Sequence, residues 1–367
     1  MKTPGWRIGT LSGVPVYLGR SWVLVAVVIM ALFGPTVQAI LGLGALSYVV
    51  ALVFALLLLV SVLAHEAAHA LVAQRVGFRV SRVVADFWGG HTAHDAGGAT
   101  PGRSAAVAVV GPLANGVLAL LGWLLLGVLD GDVARLLVLA FTWANGFVAL
   151  FNMVPGLPLD GGFLLEALVW RLAGERSTGT WVAGWAGRVV ALLVVLWGLL
   201  PVAQGGTPSL TRMLWVLVIA WFLWQGATQA IAAGLRGRTA ARVLVGDVAR
   251  SVGVVEPTAL VADTPWSQAP LWVVQAPGAP PVGLVHAGSL GTVPEQERAV
   301  APVSAVAVRM PEGWAVRMER GQTSDKALDV MRATGAGVVC LLDEQDRPWG
   351  AVLVDDLSRG GRPAARS

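Results

Sequence analysis

Three side chains within one helical turn have the types and spacing for metal chemistry: His65, Glu66 and His69. An α-helix advances 3.6 residues per turn, so residues 65 and 69 share a face and can present two imidazole nitrogens to one ion. The segment His65-Glu66-Ala67-Ala68-His69 is the H-E-x-x-H pattern. Zinc takes neutral imidazole readily, and a catalytic zinc site keeps three protein ligands and an open position for water. Glu66 lies about 100° round the helix, where it can reach that water as general base rather than the metal. A third ligand must come from elsewhere in the chain.

The setting sharpens this reading. Between Arg20 and Arg75 there is no Asp, Lys or Arg, and Glu66 is the only carboxylate. An ionised side chain at mid-membrane costs about 2.5–3.5 kcal/mol on insertion scales, so polar groups clustered on one apolar helix need a compensating partner. Asp160 is the expected third ligand. It follows Asn152-Met153-Val154-Pro155-Gly156-Leu157-Pro158-Leu159 and precedes Gly161-Gly162. Pro155 and Pro158 each interrupt ordinary helix, so an apolar span must open there and can turn a carboxylate inward. Gly161 and Gly162 permit close backbone approach or positive φ, and an N-cap role for Asp160 is compatible with ligation.

The elements that carry these residues are those of a polytopic α-helical membrane protein. Of 367 residues 56% are hydrophobic and 13% charged, proportions of a membrane chain. The net charge of +4 comes from Arg residues at the ends of apolar runs, which fits topology signals and not nucleic-acid binding. Six spans are expected at about 20–36, 47–76, 104–129, 134–154, 187–203 and 212–235. No cleavable leader is expected, because the first apolar run is long and lacks a small-x-small exit. Gly34-Pro35 is expected to close the first span. Residues 80–98 alternate weakly and are expected to form a re-entrant β-hairpin. Arg75, Arg79, Arg82 and Arg103 mark one face, which the positive-inside rule makes cytoplasmic, and six spans return both termini to it. Cys340 is the single cysteine, so an intramolecular disulfide and thiolate zinc sites are excluded. His91 and His94 lie in the glycine-rich loop 89–98 and are read as loop histidines, not ligands. Asn115 and Asn152, amides within apolar spans, are candidates to hold substrate backbone or an oxyanion; helix–helix hydrogen bonding is the competing role.

From about residue 242 the long apolar runs stop and Pro and charge increase. Pro281-Val282-Gly283-Leu284-Val285 matches Pro348-Trp349-Gly350-Ala351-Val352 at a spacing of 67, and Leu290 matches Leu357. Two copies of a small α/β unit are therefore expected, 242–300 and 301–360, the first with prolines in its helix.

Together, HEAAH in one span, GPLAN in the next and N-x-x-P-x-x-P-L-D-G-G after the fourth resemble the site-2 protease family of intramembrane zinc metalloproteases, over residues 1 to about 235. That resemblance implies His65, His69 and Asp160 as ligands of one zinc ion per chain, Glu66 as the catalytic residue, and a single-pass membrane protein, such as a membrane-tethered regulator, as substrate. The family's usual proline directly after the Asn is Met153 here. The C-terminal part resembles a cystathionine-β-synthase (CBS) domain pair, which implies a possible homodimer and an adenine nucleotide contact at Asp356. Leu353 replaces the hydroxyl residue expected before Asp356, and Ser289 is its counterpart in the first copy, which favours a structural or dimerising module. The rival function is a CBS-regulated transporter or channel in which His65, Glu66, His69 and Asp160 line an ion path.

Overall fold

The structure is a computed structural model that describes residues 5–86, 89–95, 98–207, 209–292 and 294–358, with backbone alone at 89–95, 291–292 and 358. It divides into two compact units, Met1–Gly234 and Leu235–Ser367.

Among the described residues six helices are long and apolar enough to cross a membrane: α1 (Trp22–Leu41), α2 (Leu46–Arg75), α3 (Pro101–Leu125), α4 (Asp132–Asn152), α6 (Arg176–Ala203) and α7 (Leu210–Ala240). The protein is a multi-pass α-helical membrane protein. Leu56, Leu120, Trp143 and Leu193 are exposed on these helices, as side chains facing lipid would be. A shorter helix, α5 (Asp160–Ala173), follows the proline-rich stretch after α4.

Helix α2 has neither Gly nor Pro, so nothing interrupts its 30 residues; at 1.5 Å per residue it is about 45 Å long and exceeds the hydrocarbon thickness. Helix α3 starts cleanly: the Thr100 side chain accepts a hydrogen bond from the Arg103 amide, and Pro101 fills the first turn, where its missing N–H costs nothing. Two proline expectations differ in outcome. Pro155 and Pro158 do end α4, but Pro35 lies inside α1, which runs on to Leu41. One lost backbone bond is tolerated when the rest of an apolar helix has no alternative partner for its amides. Gly34 beside it allows the Tyr48 ring of α2 to pack directly on the α1 backbone, since a Cβ there would lie 2.6 Å from the ring.

The hairpin expected at 80–98 is present as β3 (Arg79–Asp86) and β4 (Gly89–Asp95), although Phe87, Trp88 and Gly97 lie outside the described residues. It is half of a larger sheet. β1 (Trp6–Leu11) and β2 (Val14–Leu18), in a stretch read from sequence as merely short and polar, complete a four-stranded order β1-β2-β3-β4. Strands β2 and β3 run parallel, the other pairs antiparallel. Ser12 and Gly13, both at positive φ, make the tight turn of the β1–β2 hairpin. The sheet packs on the end of α2 through Val14, Val83 and Ala70, the residue after His69.

In Leu235–Ser367 each copy of the repeat builds a parallel pair followed by an antiparallel hairpin. The first comprises β5 (Val252–Val255), β6 (Leu271–Val274) and β7 (Gly283–His286), extended by β8 (Val308–Arg309); the second comprises β9 (Ala315–Arg317), β10 (Val338–Leu342) and β11 (Pro348–Leu353). The hairpin registers repeat with the sequence: Val274 pairs Gly283 and Leu341 pairs Gly350, a shift of 67 in each partner. Leu290 and Leu357 are buried in the two corresponding cores. The second copy has a helix, Asp325–Thr334, between its parallel strands; the first has only a 3-10 turn at Trp266–Gln268, where Pro265 and Pro270 flank the segment.

Candidate metal centre

The two histidines sit one turn apart on α2, both buried, and Asp160 opens α5. The fold brings all three together: His65 Nε2 lies 3.2 Å from Asp160 Oδ2, and His69 Nε2 lies 3.5 Å from Oδ1. The two Nε2 atoms are 3.1 Å apart. One ligand atom from each residue can thus face a common ion.

What the opposite ring nitrogens do decides the chemistry. His69 Nδ1 lies 2.7 Å from the carbonyl oxygen of Val107 on α3. A carbonyl only accepts, so Nδ1 must carry the proton and Nε2 the lone pair. His65 Nδ1 lies 2.5 Å from Asn115 Oδ1, also an acceptor in this network, so His65 takes the same tautomer. Two nitrogen lone pairs and a carboxylate therefore converge in a buried space, and among the described residues no hydrogen-bond donor is directed at the buried Asp160 Oδ2. Such an arrangement is repulsive until a cation lies within it. With zinc–nitrogen bonds of about 2.0–2.1 Å, tetrahedral ligands stand roughly 3.3 Å apart. The 3.1, 3.2 and 3.5 Å separations match that spacing.

The chain that carries these residues matches the model of peptidase family M50 over residues 53–137 and 128–196. Residues 53–196 are thus similar to peptidase family M50. A relative from Synechocystis named a zinc metalloprotease is 32% identical over 60% of this chain and 58% of its own length. One from Mycobacterium tuberculosis, also named a zinc metalloprotease, is 37% identical over 50% of this chain and 49% of its own. The chain thus spans about half the length of these curated relatives. Among solved structures, a site-2 protease from Methanocaldococcus jannaschii is similar with a TM-score of 0.43 at 24% identity, covering 62% of this chain and 94% of that one. The CBS domain of a bacterial CNNM/CorC family Mg2+ transporter is similar with a TM-score of 0.28 at 16% identity, over 41% and 95%.

The close approach of α3 to the histidines depends on Gly111. A Cβ built there would stand 2.3 Å from His69 Nε2 and 2.6 Å from His65 Nε2, inside the space where the ligand atoms meet. Only glycine leaves that space open. In sequence the only signal of this role is the place of Gly111 in GPLAN, one turn before Asn115.

Asp160 is held by backbone packing. Leu157 N–H donates to Ala183 O of α6 at 3.1 Å. Gly156 and Gly187 let the loop and α6 touch backbone to backbone, and a Cβ at Gly187 would fall 2.0 Å from Leu157 O. Gly161 and Gly162 serve close approach, not positive φ: added Cβ atoms would strike Met153 O at 2.4 Å and Leu157 N at 2.3 Å. Asp160 is the first residue of α5, after the N-cap Leu159, and its carboxylate faces the histidines instead of capping the helix.

Glu66 is buried on α2, with its charge in electrostatic reach of His69. For Asn115 the structure shows hydrogen bonding between helices, the second of its two expected roles. Its Oδ1 faces His65, and its Nδ2 donates to Ser61 Oγ at 3.0 Å and to Asn145 Oδ1 at 2.8 Å, so neither amide hydrogen remains for an oxyanion. Asn152, the last residue of α4, is half-buried and takes no part in this network. His91 and His94 of β4 pair through their backbones with Val84 and Val80 of β3; their side chains lie outside the described residues. In the C-terminal unit Asp356 is engaged by Arg250 in a two-pronged ion pair, Nε to Oδ2 at 2.9 Å and Nη2 to Oδ1 at 2.6 Å. Both carboxylate oxygens are therefore committed within the fold.

Proposed function

We propose that the protein is an intramembrane zinc endopeptidase that hydrolyses a peptide bond within or beside the transmembrane helix of a single-pass membrane protein. The observation that carries this is the buried convergence of two Nε2 lone pairs and the Asp160 carboxylate, with both Nδ1 atoms tied back. His65, His69 and Asp160 hold the ion in this reading. Zinc, when bound, supplies Lewis acidity that makes water a nucleophile near neutral pH and steadies charge on a carbonyl oxygen. Glu66 takes a proton from the attacking water as the new C–O bond forms. It returns a proton to the amide nitrogen as the C–N bond breaks. Val107 and Asn115 keep the rings in the ligating tautomer throughout.

A transmembrane substrate must unwind to expose its peptide groups, and in lipid those groups need replacement partners. β4 is an edge strand of the sheet that packs on α2, which supports docking of the extended segment by strand addition. Asn152 keeps its candidacy as a second holding group. The arginines at 75, 79, 82 and 103 support a cytoplasmic site with both termini on that side. For Leu235–Ser367 we favour a structural, dimerising CBS-like pair over a nucleotide sensor, because Arg250 already occupies Asp356.

The test is cleavage of single-pass candidates in liposomes by the full chain, wild type against Glu66→Gln, with bound zinc measured in parallel. Zinc near one per chain is expected in both, with cleavage falling roughly 10²–10⁴-fold in the variant. Ion flux with no cleavage product from either protein would favour the transport function instead. Zinc unchanged in His65→Ala, His69→Ala and Asp160→Ala variants would remove the site.

A further inference from the structure

Beyond the ligands, four polar groups from three helices form a hydrogen-bond chain that has a direction. It starts at a backbone carbonyl of α4: Asn145 Nδ2 donates to Phe141 O at 2.9 Å. A carbonyl cannot donate, so this bond fixes which end of the Asn145 amide faces inward. Asn145 Oδ1 then accepts from Asn115 Nδ2 at 2.8 Å and from Ser61 Oγ at 2.5 Å. The second Asn115 hydrogen goes to Ser61 Oγ. With its nitrogen committed, Asn115 can offer only Oδ1 to His65 Nδ1. All four side chains, Ser61, Asn115, Asn145 and His65, are buried, Asn145 completely.

We propose that Asn145 is a positioning residue of the metal centre, acting through Asn115 to impose the ligating tautomer of His65. This rests on the zinc-site reading and extends it to a helix that supplies no ligand. The alternative arrangement shows why the direction matters. If the Asn115 amide turned over, its NH2 would face His65 Nδ1, the proton would move to Nε2, and a donor would replace the lone pair aimed at Asp160. Inside an apolar bundle an isolated Asn115 has little to oppose that flip, since each orientation satisfies one hydrogen bond to imidazole. Asn145 breaks the tie. Its acceptor oxygen penalises the flipped amide with an oxygen facing an oxygen, in surroundings where an unmet polar group costs several kcal/mol.

Ser61 separates this role from simple adhesion between helices. Ser61→Ala removes two hydrogen bonds but leaves the Asn115–Asn145 bond, and with it the direction of the chain. Asn145→Leu removes the director.

The experiment measures zinc affinity of the full chain by chelator competition, together with melting temperatures of the zinc-free and zinc-loaded protein. For Asn145→Leu, affinity is expected to fall about 10–100-fold, the range found when outer-shell partners of metal ligands are removed. Asn145→Ala should behave alike and guards against misfit of the larger side chain. Ser61→Ala should stay within about threefold of wild type. Zinc affinity unchanged in the Asn145 variants, or equal loss of stability with and without zinc, would make Asn145 helix–helix adhesive and overturn the inference. Failure of the wild type to bind zinc would instead strike the metal-site reading, so the two failures are distinguishable.

Discussion

Gly111→Ala is the sharpest test of the metal centre, because it adds one methyl group and replaces no ligand. The new Cβ would lie 2.3 Å from His69 Nε2, where ordinary contact begins at 3.4 Å, so ring and helix must part by about 1.1 Å. The His69 ring cannot turn aside freely, since its Nδ1 is bonded to Val107 O four residues before Gly111 on the same helix. Overpacking of this kind costs about 1–3 kcal/mol. Metal ligands tolerate only about 0.2 Å of displacement, so the strain falls on binding. At about 1.4 kcal/mol per tenfold, zinc affinity should drop roughly 5–150-fold. In the zinc-free protein the rings can relax, and α2 and α3 should remain paired. The assay is competition against a zinc chelator in detergent, with circular dichroism as the control for fold. Wild-type zinc affinity in Gly111→Ala would refute the claim that α3 packs against the ligand atoms, and the centre as described would fall with it.

Gly187→Val should push Leu157 and the Asp160 loop off α6, lowering both zinc occupancy and melting temperature; unchanged occupancy would show that the loop is held by other contacts. Cys340 is completely buried, and burial pushes its thiol up to about 12. Native protein at pH 8 should therefore resist maleimide, with roughly one thiol in ten thousand ionised, and react only on unfolding; rapid native labelling would contradict the packing. Asp343 is held below the usual carboxylate range chiefly by the Arg347 amide, and Asp346 by the Arg317 guanidinium. A depressed folded value means stability present above about pH 4 and lost as pH falls through that value. Hydrogen exchange at the 343–347 turn should accelerate over that acid window, and Asp343→Asn should flatten the dependence.

Much of this architecture is legible in the sequence because it is local. Six spans follow from apolar length, and the shared face of His65 and His69 follows from helical period alone. The 67-residue repeat reappears in strand pairing, because each copy folds through its own neighbours. Hydropathy could not settle whether Pro35 ends α1, since an apolar helix lacks competing partners for its amides and runs on past the proline. The β1–β2 hairpin is carried in sequence only by the Ser12-Gly13 turn; strands this short gain their meaning only when β3 pairs with β2.

Residue types and spacing by themselves determined which groups can bind a metal and that the chain spans a membrane. Tertiary structure alone decided that Asp160 meets the histidines, that Gly111 keeps their meeting place open, and that Asn115 turns its Oδ1 to His65. The reason is physical. Helical period is set by each residue's own backbone, whereas steric clearance and the direction of a hydrogen-bond chain exist only between helices, once α2, α3 and α4 have come together.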